Sequence, residues 1–165
     1  IMNKQGVLSA FGKQNKEGLK TGKWTFFYPS GRIAAKTQYN AKGRLTGENI
    51  WYSEKGYIKE SGFYKDGEIN GPAYFTGENG CSSYEGAFLE GELSGKVRIY
   101  NSQGIFYMSK FFKNNEINGL VKEFYNNGKL LSSVNVINNL NEGNLYVFSP
   151  MGDTIKIKSF VLMRM

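Results

Sequence analysis

The amino-acid sequence predicts an all-β fold, an elongated single-sheet antiparallel meander of repeated β-hairpins. Three observations predict it: glycines recur at a fixed spacing, aromatic residues are concentrated between them, and only 3 of the 165 residues are proline. A fixed period of roughly 20 to 50 residues indicates an array in which each unit stacks on its neighbours. Aromatic residues favour the pleated, half-buried surface of a β-sheet.

Two series of glycines define the repeat. Members of the first series lie 24 or 25 residues apart, and each member of the second follows one of the first by nine residues. The first series is Gly22, Gly47, Gly71, Gly95, Gly119 and Gly143, and the second is Gly31, Gly56, Gly80, Gly104, Gly128 and Gly152. We therefore expect a single repeat array over 1-165. It comprises a partial N-terminal unit at 1-21, about six hairpin units of 24 residues from 22 to 160, and a C-terminal end at 161-165.

A third series of positions precedes the first by four residues and contains only glycine or asparagine. Its members are Gly18, Gly43, Gly67, Gly91, Asn115 and Asn139. Because asparagine is, after glycine, the residue that best tolerates the left-handed backbone region, these positions predict a positive φ in a tight turn. The second glycine series predicts a different turn, a type I turn closed by a left-handed glycine, as in Pro29-Ser30-Gly31.

The segments between the turns are too short for helices and are rich in strand-forming residues. Two positions of the repeat form nearly pure aromatic columns: Phe27, Tyr52, Thr76, Tyr100, Phe124 and Phe148 in one, and Tyr39, Tyr64, Phe88, Phe112, Val136 and Phe160 in the other. In a meander such columns become ladders along the sheet. We expect the ladders to form the core, the alternative being an aromatic-lined groove. Trp24, Ala73 and Val97 make a second face partly apolar, so the sheet should curl, be covered or meet a partner.

The composition argues against an enzyme. The sequence has no histidine and a single cysteine, Cys81, which removes the commonest general base and most transition-metal sites. The acidic residues near turns follow the repeat, which indicates turn chemistry rather than one acid–base pair. We expect no catalytic residues, no cofactor and no metal site. The net charge of +7 is explained by lysines that keep exposed strands soluble, or by an acidic partner.

The motifs resemble a known repeat family. The segment 84-95, Tyr-Glu-Gly-Ala-Phe-Leu-Glu-Gly-Glu-Leu-Ser-Gly, resembles the MORN repeat, and the segment 62-71 is a looser match. The chain is most similar to the divergent bacterial variant of that repeat found in proteins labelled YwqK-family antitoxins. The resemblance implies an elongated antiparallel sheet that binds proteins or membrane surfaces, and it carries no catalytic residues.

We therefore expect a non-enzymatic repeat scaffold that binds another macromolecule through a long curved sheet face, and we expect this partner to be a protein. The candidate partner-binding residues are Trp24, Trp51, Phe75 and Tyr107, because large aromatic side chains off the ladders have no evident core to fill and aromatics are common interface anchors. The alternatives are an antitoxin or immunity protein that neutralises a cognate toxin, and association with an anionic membrane or envelope surface. Nucleic acid is not expected as a partner, since the aromatic residues it would stack on belong to the ladders. We expect a bacterial cytoplasmic protein, or an envelope or secreted one if a signal peptide was removed before Ile1.

Overall fold

The computed structural model describes residues 1–2, 9–77 and 80–160 of the chain. Over these ranges it contains strands and turns, and the strands form an antiparallel meander that follows the chain. This confirms the predicted all-β fold class. The strands are β1 (Ala10–Gln14), β2 (Lys20–Phe27), β3 (Ile33–Tyr39), β4 (Gly47–Tyr52), β5 (Ile58–Lys65), β6 (Glu68–Thr76), β7 (Ser82–Leu89), β8 (Glu92–Tyr100), β9 (Phe106–Lys113), β10 (Glu116–Ile117), β11 (Gly119–Phe124), β12 (Leu130–Ile137), β13 (Leu140–Phe148) and β14 (Thr154–Phe160).

The chain divides into two compact units. The first comprises Ile1–Gly80 with Leu89–Gly91, and the second comprises Cys81–Phe88 with Glu92–Met165. In the second unit β10 and β11 are two parts of a strand interrupted at Asn118, and both pair with β9. The single repeat array over 1-165 stays a prediction, and its C-terminal end at 161-165 lies outside the described residues, as does part of the N-terminal unit at 1-21.

The turns closed by a left-handed glycine are built as predicted. At Gly31, for example, φ is 82° and the N–H donates to the Tyr28 carbonyl at 2.9 Å. At Gly43, which belongs to the third series, an asparagine strengthens the same arrangement. The Oδ1 of Asn40 accepts hydrogen bonds from the N–H groups of Lys42 and Arg44 at 3.0 and 3.1 Å. The side chain thereby satisfies backbone donors that a short turn leaves unpaired.

All six positions of the Gly/Asn series have positive φ, which confirms the prediction made for them. At four of them the preceding residue has positive φ as well: Asp66–Gly67, Glu90–Gly91, Asn114–Asn115 and Asn138–Asn139. Two successive positive φ values define a type I′ turn, the two-residue connection whose twist suits a β-hairpin. In the second unit Asn115 adds a bond that glycine lacks, since its Oδ1 accepts the N–H of Leu93 at 2.7 Å while its own N–H donates to the Leu93 carbonyl at 3.1 Å.

The two faces of the sheet differ in burial. Paired residues of neighbouring strands lie on the same face. Trp24 is paired with Thr37, and Ala35 is paired with both Phe26 and Trp51. We call this side the inner face of the first unit, and in the second unit the inner face is the side that carries Val97. The buried apolar residues all lie on inner faces: Ala10, Trp24, Ala35, Ala73, Val97 and Val136.

The aromatic columns are therefore only part of the core, and they are not its most buried part. The members of those columns are half-buried, apart from Val136, which is buried. The most buried series lies two residues after each glycine of the first series and includes Trp24, Asn49, Ala73 and Val97. A bulge explains part of the difference, because five hairpins shift register between the fourth and fifth residues after that glycine, as between Trp51 and Tyr52. A β-bulge inserts an unpaired residue and locally changes which side chains face the core.

Candidate functional site

A concave pocket lies on the inner face of the first unit, over strands β2 to β5. Its volume is about 420 Å³, and six of the residues around it are Lys20, Phe26, Thr37, Tyr39, Trp51 and Lys59. The pocket is open to solvent on one side. Its size falls within the range of roughly 300 to 1,000 Å³ that is usual for small-molecule sites.

The pocket exists because β3 presents small side chains between large ones. Ala35 is paired with Phe26 on β2 and with Trp51 on β4. A methyl group between two aromatic rings leaves the space above it unfilled. Ala34, next to it, lines the pocket as well. Two consecutive alanines therefore form a low floor with aromatic walls on both sides.

Asn49 supports one side of this floor, where β3 and β4 stop pairing. The register pairs of these strands end at Lys36 with Ile50. Beyond them the N–H of Gln38 donates to the side-chain Oδ1 of Asn49 at 2.9 Å. The Nδ2 of the same side chain donates to the carbonyls of Gly47 and Thr46 at 2.9 and 3.2 Å. Asn49 has no exposed surface, so a buried amide takes the place of missing ladder bonds.

Trp24 is part of the core, which corrects the expectation that it has no core to fill and is available to a partner. Only 2% of its surface is accessible. Its indole covers β1 at Gly12, where a Cβ atom would clash with the ring. The Nε1–H donates to the Lys13 carbonyl at 3.0 Å. The ring also stacks on Phe26 with centroids 5.9 Å apart. Trp24 thus packs across the N-terminal edge of the sheet.

The other three predicted partner-binding residues are half-buried, and the structure does not bring all of them together. Trp51 lines the pocket, and its ring meets the Tyr64 ring edge-on with the ring centroids 5.7 Å apart. Phe75 lies on the same inner face, because Glu60 is paired with both Trp51 and Phe75. Tyr107 belongs to the second unit, where it is the extra residue of a bulge on β9. Their role in binding stays a prediction.

The charged groups around the pocket are basic. The Nζ of Lys20 lies 5.1 Å from the ring centre of Phe26 and 5.5 Å from those of Trp24 and Tyr39. Cation–π attraction holds an ammonium group in such a position. Lys59 contributes a second ammonium group, and none of the described residues that line the pocket is acidic.

The carboxylate of Glu60, which is paired with the pocket residue Trp51, forms a hydrogen bond outside the pocket lining. Glu60, paired with Trp51, accepts a hydrogen bond from the Tyr64 hydroxyl at 2.9 Å. Burial, and then the bond to Glu60, raise the pKa of the Tyr64 hydroxyl above its usual range. Tyr64 therefore stays protonated and continues to donate to Glu60 at any physiological pH.

The floor also contains a polar atom without a partner. The Oγ1 of Thr37 is buried and makes no hydrogen bond within the part of the chain that the structure describes. Ser53 has a similarly unpaired hydroxyl, but it does not line the pocket. Sequence reasoning missed the pocket altogether. Its lysines and Thr37 carry no motif, and only the pairing register reveals that Ala35 separates two rings.

The ionic cluster around Glu85 in the second unit is of a structural kind. Glu85 Oε1 accepts a hydrogen bond from the Tyr100 hydroxyl at 2.6 Å and one from the Arg98 guanidinium at 3.1 Å. The bond from Tyr100 and the Arg98 charge lower the pKa of the Glu85 carboxyl. A carboxylate held in its ionised form by two donors is poorly suited to take up a proton. Over the described ranges no three cysteine, aspartate or glutamate side chains gather as metal ligands do.

Comparison with known families finds a match for two segments of the chain. Residues 20–41 and 117–138 match the MORN repeat variant. The first segment spans β2, its turn and β3, including the floor of the pocket, and the second lies in the other unit. No curated protein is significantly similar to the chain. The described residues include no helix that is long and apolar enough to cross a membrane.

Proposed function

We propose that the chain, with its MORN repeat-variant hairpins, is a non-enzymatic scaffold that binds another protein through the outer face of its sheet. The observation that carries the proposal is an apolar surface on strands of the second unit. We call it the outer apolar surface, and it consists of Phe111, Leu120, Tyr146 and Ile157, all of which are exposed.

Strand pairing places these side chains on one face. Phe111 is two residues from Ser109 on β9, which is paired with Lys122 on β11. Lys122 is two residues from Leu120 and is paired with Ser133 on β12. Three further pairings extend this outer-face row to the neighbouring strands. Ser133 on β12 is paired with Tyr146 on β13, Tyr146 is paired with Ile157 on β14, and Phe111 on β9 is paired with Lys96 on β8. Exposed apolar side chains that share one sheet face are typical of interaction sites.

Basic residues alternate with this apolar surface and indicate the chemistry of the partner. Lys96 lies opposite Phe111, and Lys122 lies two residues from Leu120. A partner surface that combines apolar side chains with carboxylates would complement it, and charges at the rim of an interface chiefly raise the association rate. The absence of histidine and the engaged carboxylate of Glu85 support a role without catalysis.

The test is capture of a partner with matched variants. Phe111→Ser and Ile157→Ser should each abolish capture of a stoichiometric protein while the circular dichroism spectrum stays that of a β protein. Met151→Ser is the control, because Met151 is 86% exposed but lies in a turn. Trp51→Ala and Phe75→Ala test the inner face in the same assay. The proposal is wrong if capture survives both outer-face variants.

Neutralisation of a cognate toxin is a narrower form of the same proposal, and it is supported only by the resemblance to antitoxin-labelled repeat proteins. It predicts a tight one-to-one complex in which the activity of the toxin is lost. Phe111→Ser should release that activity, whereas Met151→Ser should not. A captured partner that has no toxic activity would exclude this form and leave the scaffold proposal standing.

Association with an anionic membrane is the second candidate, and the lysines beside the outer apolar surface favour it. Lys96 and Lys122 would contact lipid headgroups there while Phe111 contacts the interfacial region. Vesicles containing phosphatidylserine should then bind the protein at low salt and release it at high salt. Equal binding to neutral vesicles, or none to anionic ones, would exclude this candidate.

A further inference from the structure

The pocket in the first unit has features that protein binding through the outer face does not use. It lies on the inner face, it is walled by aromatic rings, and its ionic groups are all basic. Its floor contains a buried hydroxyl that has no hydrogen-bond partner among the described residues. Each of these features indicates one chemical property of a ligand, and together they indicate its class.

The hydroxyl of Thr37 is the first feature. Thr37 is 6% exposed, and it lies between Ala35 and Tyr39 on the same face of β3. Leaving a buried hydroxyl unpaired costs stability, and such groups are rare in native proteins. Valine has the same shape without that cost. A threonine at the floor of a pocket is therefore explained by an acceptor atom that arrives with a ligand.

The two ammonium groups are the second feature. Of the described residues, neither Lys20 nor Lys59 forms a salt bridge with a carboxylate. The rings of Phe26 and Tyr39 keep the Lys20 Nζ at the pocket. Two unpaired cations at one pocket without an acidic lining favour an anionic group in the ligand.

The walls are the third feature. Phe26 and Trp51 stand on either side of Ala35, and the gap between them is set by strand pairing rather than by a flexible loop. Flat apolar groups fit between aromatic walls, where they gain stacking and edge contacts. The volume of about 420 Å³ admits a ligand of roughly one or two rings.

We infer that this pocket binds a carboxylate carried on a small, flat apolar body, such as a free aromatic acid or the terminal aromatic residue of a peptide. The apolar body lies between Phe26 and Trp51, and the carboxylate pairs with Lys20 and Lys59. The Thr37 hydroxyl donates a hydrogen bond to the same ligand. The inference is independent of the proposed scaffold function, which uses the other face of the sheet and residues of the second unit.

The experiment uses benzoate as the probe and the two indole N–H signals of the full chain as the readout. The sequence has two tryptophans, of which Trp51 lines the pocket and Trp24 is buried beside it. Titration with benzoate should shift the Trp51 signal saturably. Benzyl alcohol, which has the ring without the charge, should bind at least tenfold more weakly. Equal binding of the two compounds would overturn the inference, as would an unshifted Trp51 signal at millimolar benzoate.

Variants assign the roles of the three polar groups. Lys20→Gln and Lys59→Gln should each weaken benzoate binding by roughly five- to tenfold, since each variant removes a charge-assisted hydrogen bond to the carboxylate at a site that solvent screens. Lys36→Gln is the matched control and should leave binding unchanged, because Lys36 follows Ala35 on β3 but faces the outer side. Equal effects of all three lysine variants would mean that only net charge matters, and would overturn the site.

Thr37→Val separates a ligand-binding role from a structural one. The variant should weaken benzoate binding by roughly three- to tenfold, the value of one hydrogen bond. Its folding stability should be unchanged or higher, because a buried unpaired hydroxyl has been removed. Unchanged benzoate binding in a folded Thr37→Val protein would contradict the role given to the hydroxyl. Ala35→Leu, which fills the gap between the walls, should abolish binding.

The source of the carboxylate is distinguished with peptides. A short peptide that ends in phenylalanine carries the same chemistry as benzoate, and its C-terminal amide serves as the uncharged control. Tighter binding of the acid peptide than of benzoate identifies the end of a protein chain as the ligand. Tighter binding of benzoate identifies a free aromatic acid. Both results support a carboxylate site, whereas equal binding of the acid and amide peptides contradicts it.

Discussion

Replacing Asn49 with alanine tests how the first unit is held together at the pocket. The corresponding positions of the next two repeats are Ala73 and Val97, so the repeat pattern alone treats Asn49 as an exception that alanine would correct. Substitutions toward a consensus commonly stabilise a protein. The structure predicts the opposite, because the Asn49 amide bonds the Gln38 N–H and the carbonyls of Thr46 and Gly47.

The size of this loss of stability follows from the hydrogen-bonding groups that the substitution leaves without a partner. Asn49 has no exposed surface, so water cannot take over its hydrogen bonds without opening the strands. A typical hydrogen bond contributes about 0.5–1.5 kcal/mol, and a buried group left unpaired costs about 1–3 kcal/mol. Partial relaxation of three such partners gives a loss of about 2–4 kcal/mol in the free energy of unfolding. Asn49→Val, which better preserves volume, should lose nearly as much.

The assay is urea unfolding followed by tryptophan fluorescence. Both tryptophans belong to the first unit, so the signal reports on the unit that contains Asn49. Asn141→Ala is the control, because Asn141 is an exposed asparagine in a strand and should change stability by less than about 0.5 kcal/mol. An Asn49→Ala protein that is as stable as the unsubstituted one, or more stable, would refute the reasoning.

Three further predictions concern the edge of the first unit, the turns and the pH dependence. Gly12→Ala should displace the Trp24 indole and lower the free energy of unfolding by about 1–3 kcal/mol, because overpacking a core typically costs that much. An unchanged Trp24 indole N–H signal would contradict this. Asn115→Gly should lose about 1 kcal/mol through the missing bond to Leu93, and Asn115→Ala about 1 kcal/mol more because alanine resists positive φ; urea unfolding of the two variants gives the difference. The lowered pKa of Glu85 contributes stability that is present above its ordinary value of 4.5 and is lost as the pH falls through the lowered one. Unfolding midpoints measured across that pH range should therefore fall less in Glu85→Gln than in the unsubstituted protein, and parallel curves would exclude this contribution.

The turns could be predicted from the sequence because one backbone dihedral decides them. A position occupied only by glycine or asparagine has to have positive φ, and Gly67 and Asn115 both do. Such a requirement is local, so it is visible without knowledge of the partner strand. The strands between the turns follow directly, since segments of about eight residues leave little choice of structure.

The core was harder to predict because it depends on bulges and on a contact between strands. Trp24 is buried only because Gly12 of β1 leaves room for its ring. Gly12 belongs to none of the three glycine series. One signal could have identified it: Gly62 and Gly86 occupy the same repeat position, six residues after Gly56 and Gly80, and they too lie against side chains of the following strand. A glycine that recurs at a strand position marks a close approach.

The pocket could not be predicted because it arises where the repeat is broken in two ways at once. Tandem repeats place equivalent side chains above one another, and a uniform array would fill the space between Phe26 and Trp51. Ala35 leaves that space open, and where β3 and β4 stop pairing the Asn49 amide, rather than an apolar side chain, links the two strands. The unpaired Thr37 hydroxyl lies in the same place. Stability alone would favour a larger apolar residue in place of Ala35 and valine in place of Thr37, so the presence of both at one pocket is better explained by a ligand than by folding.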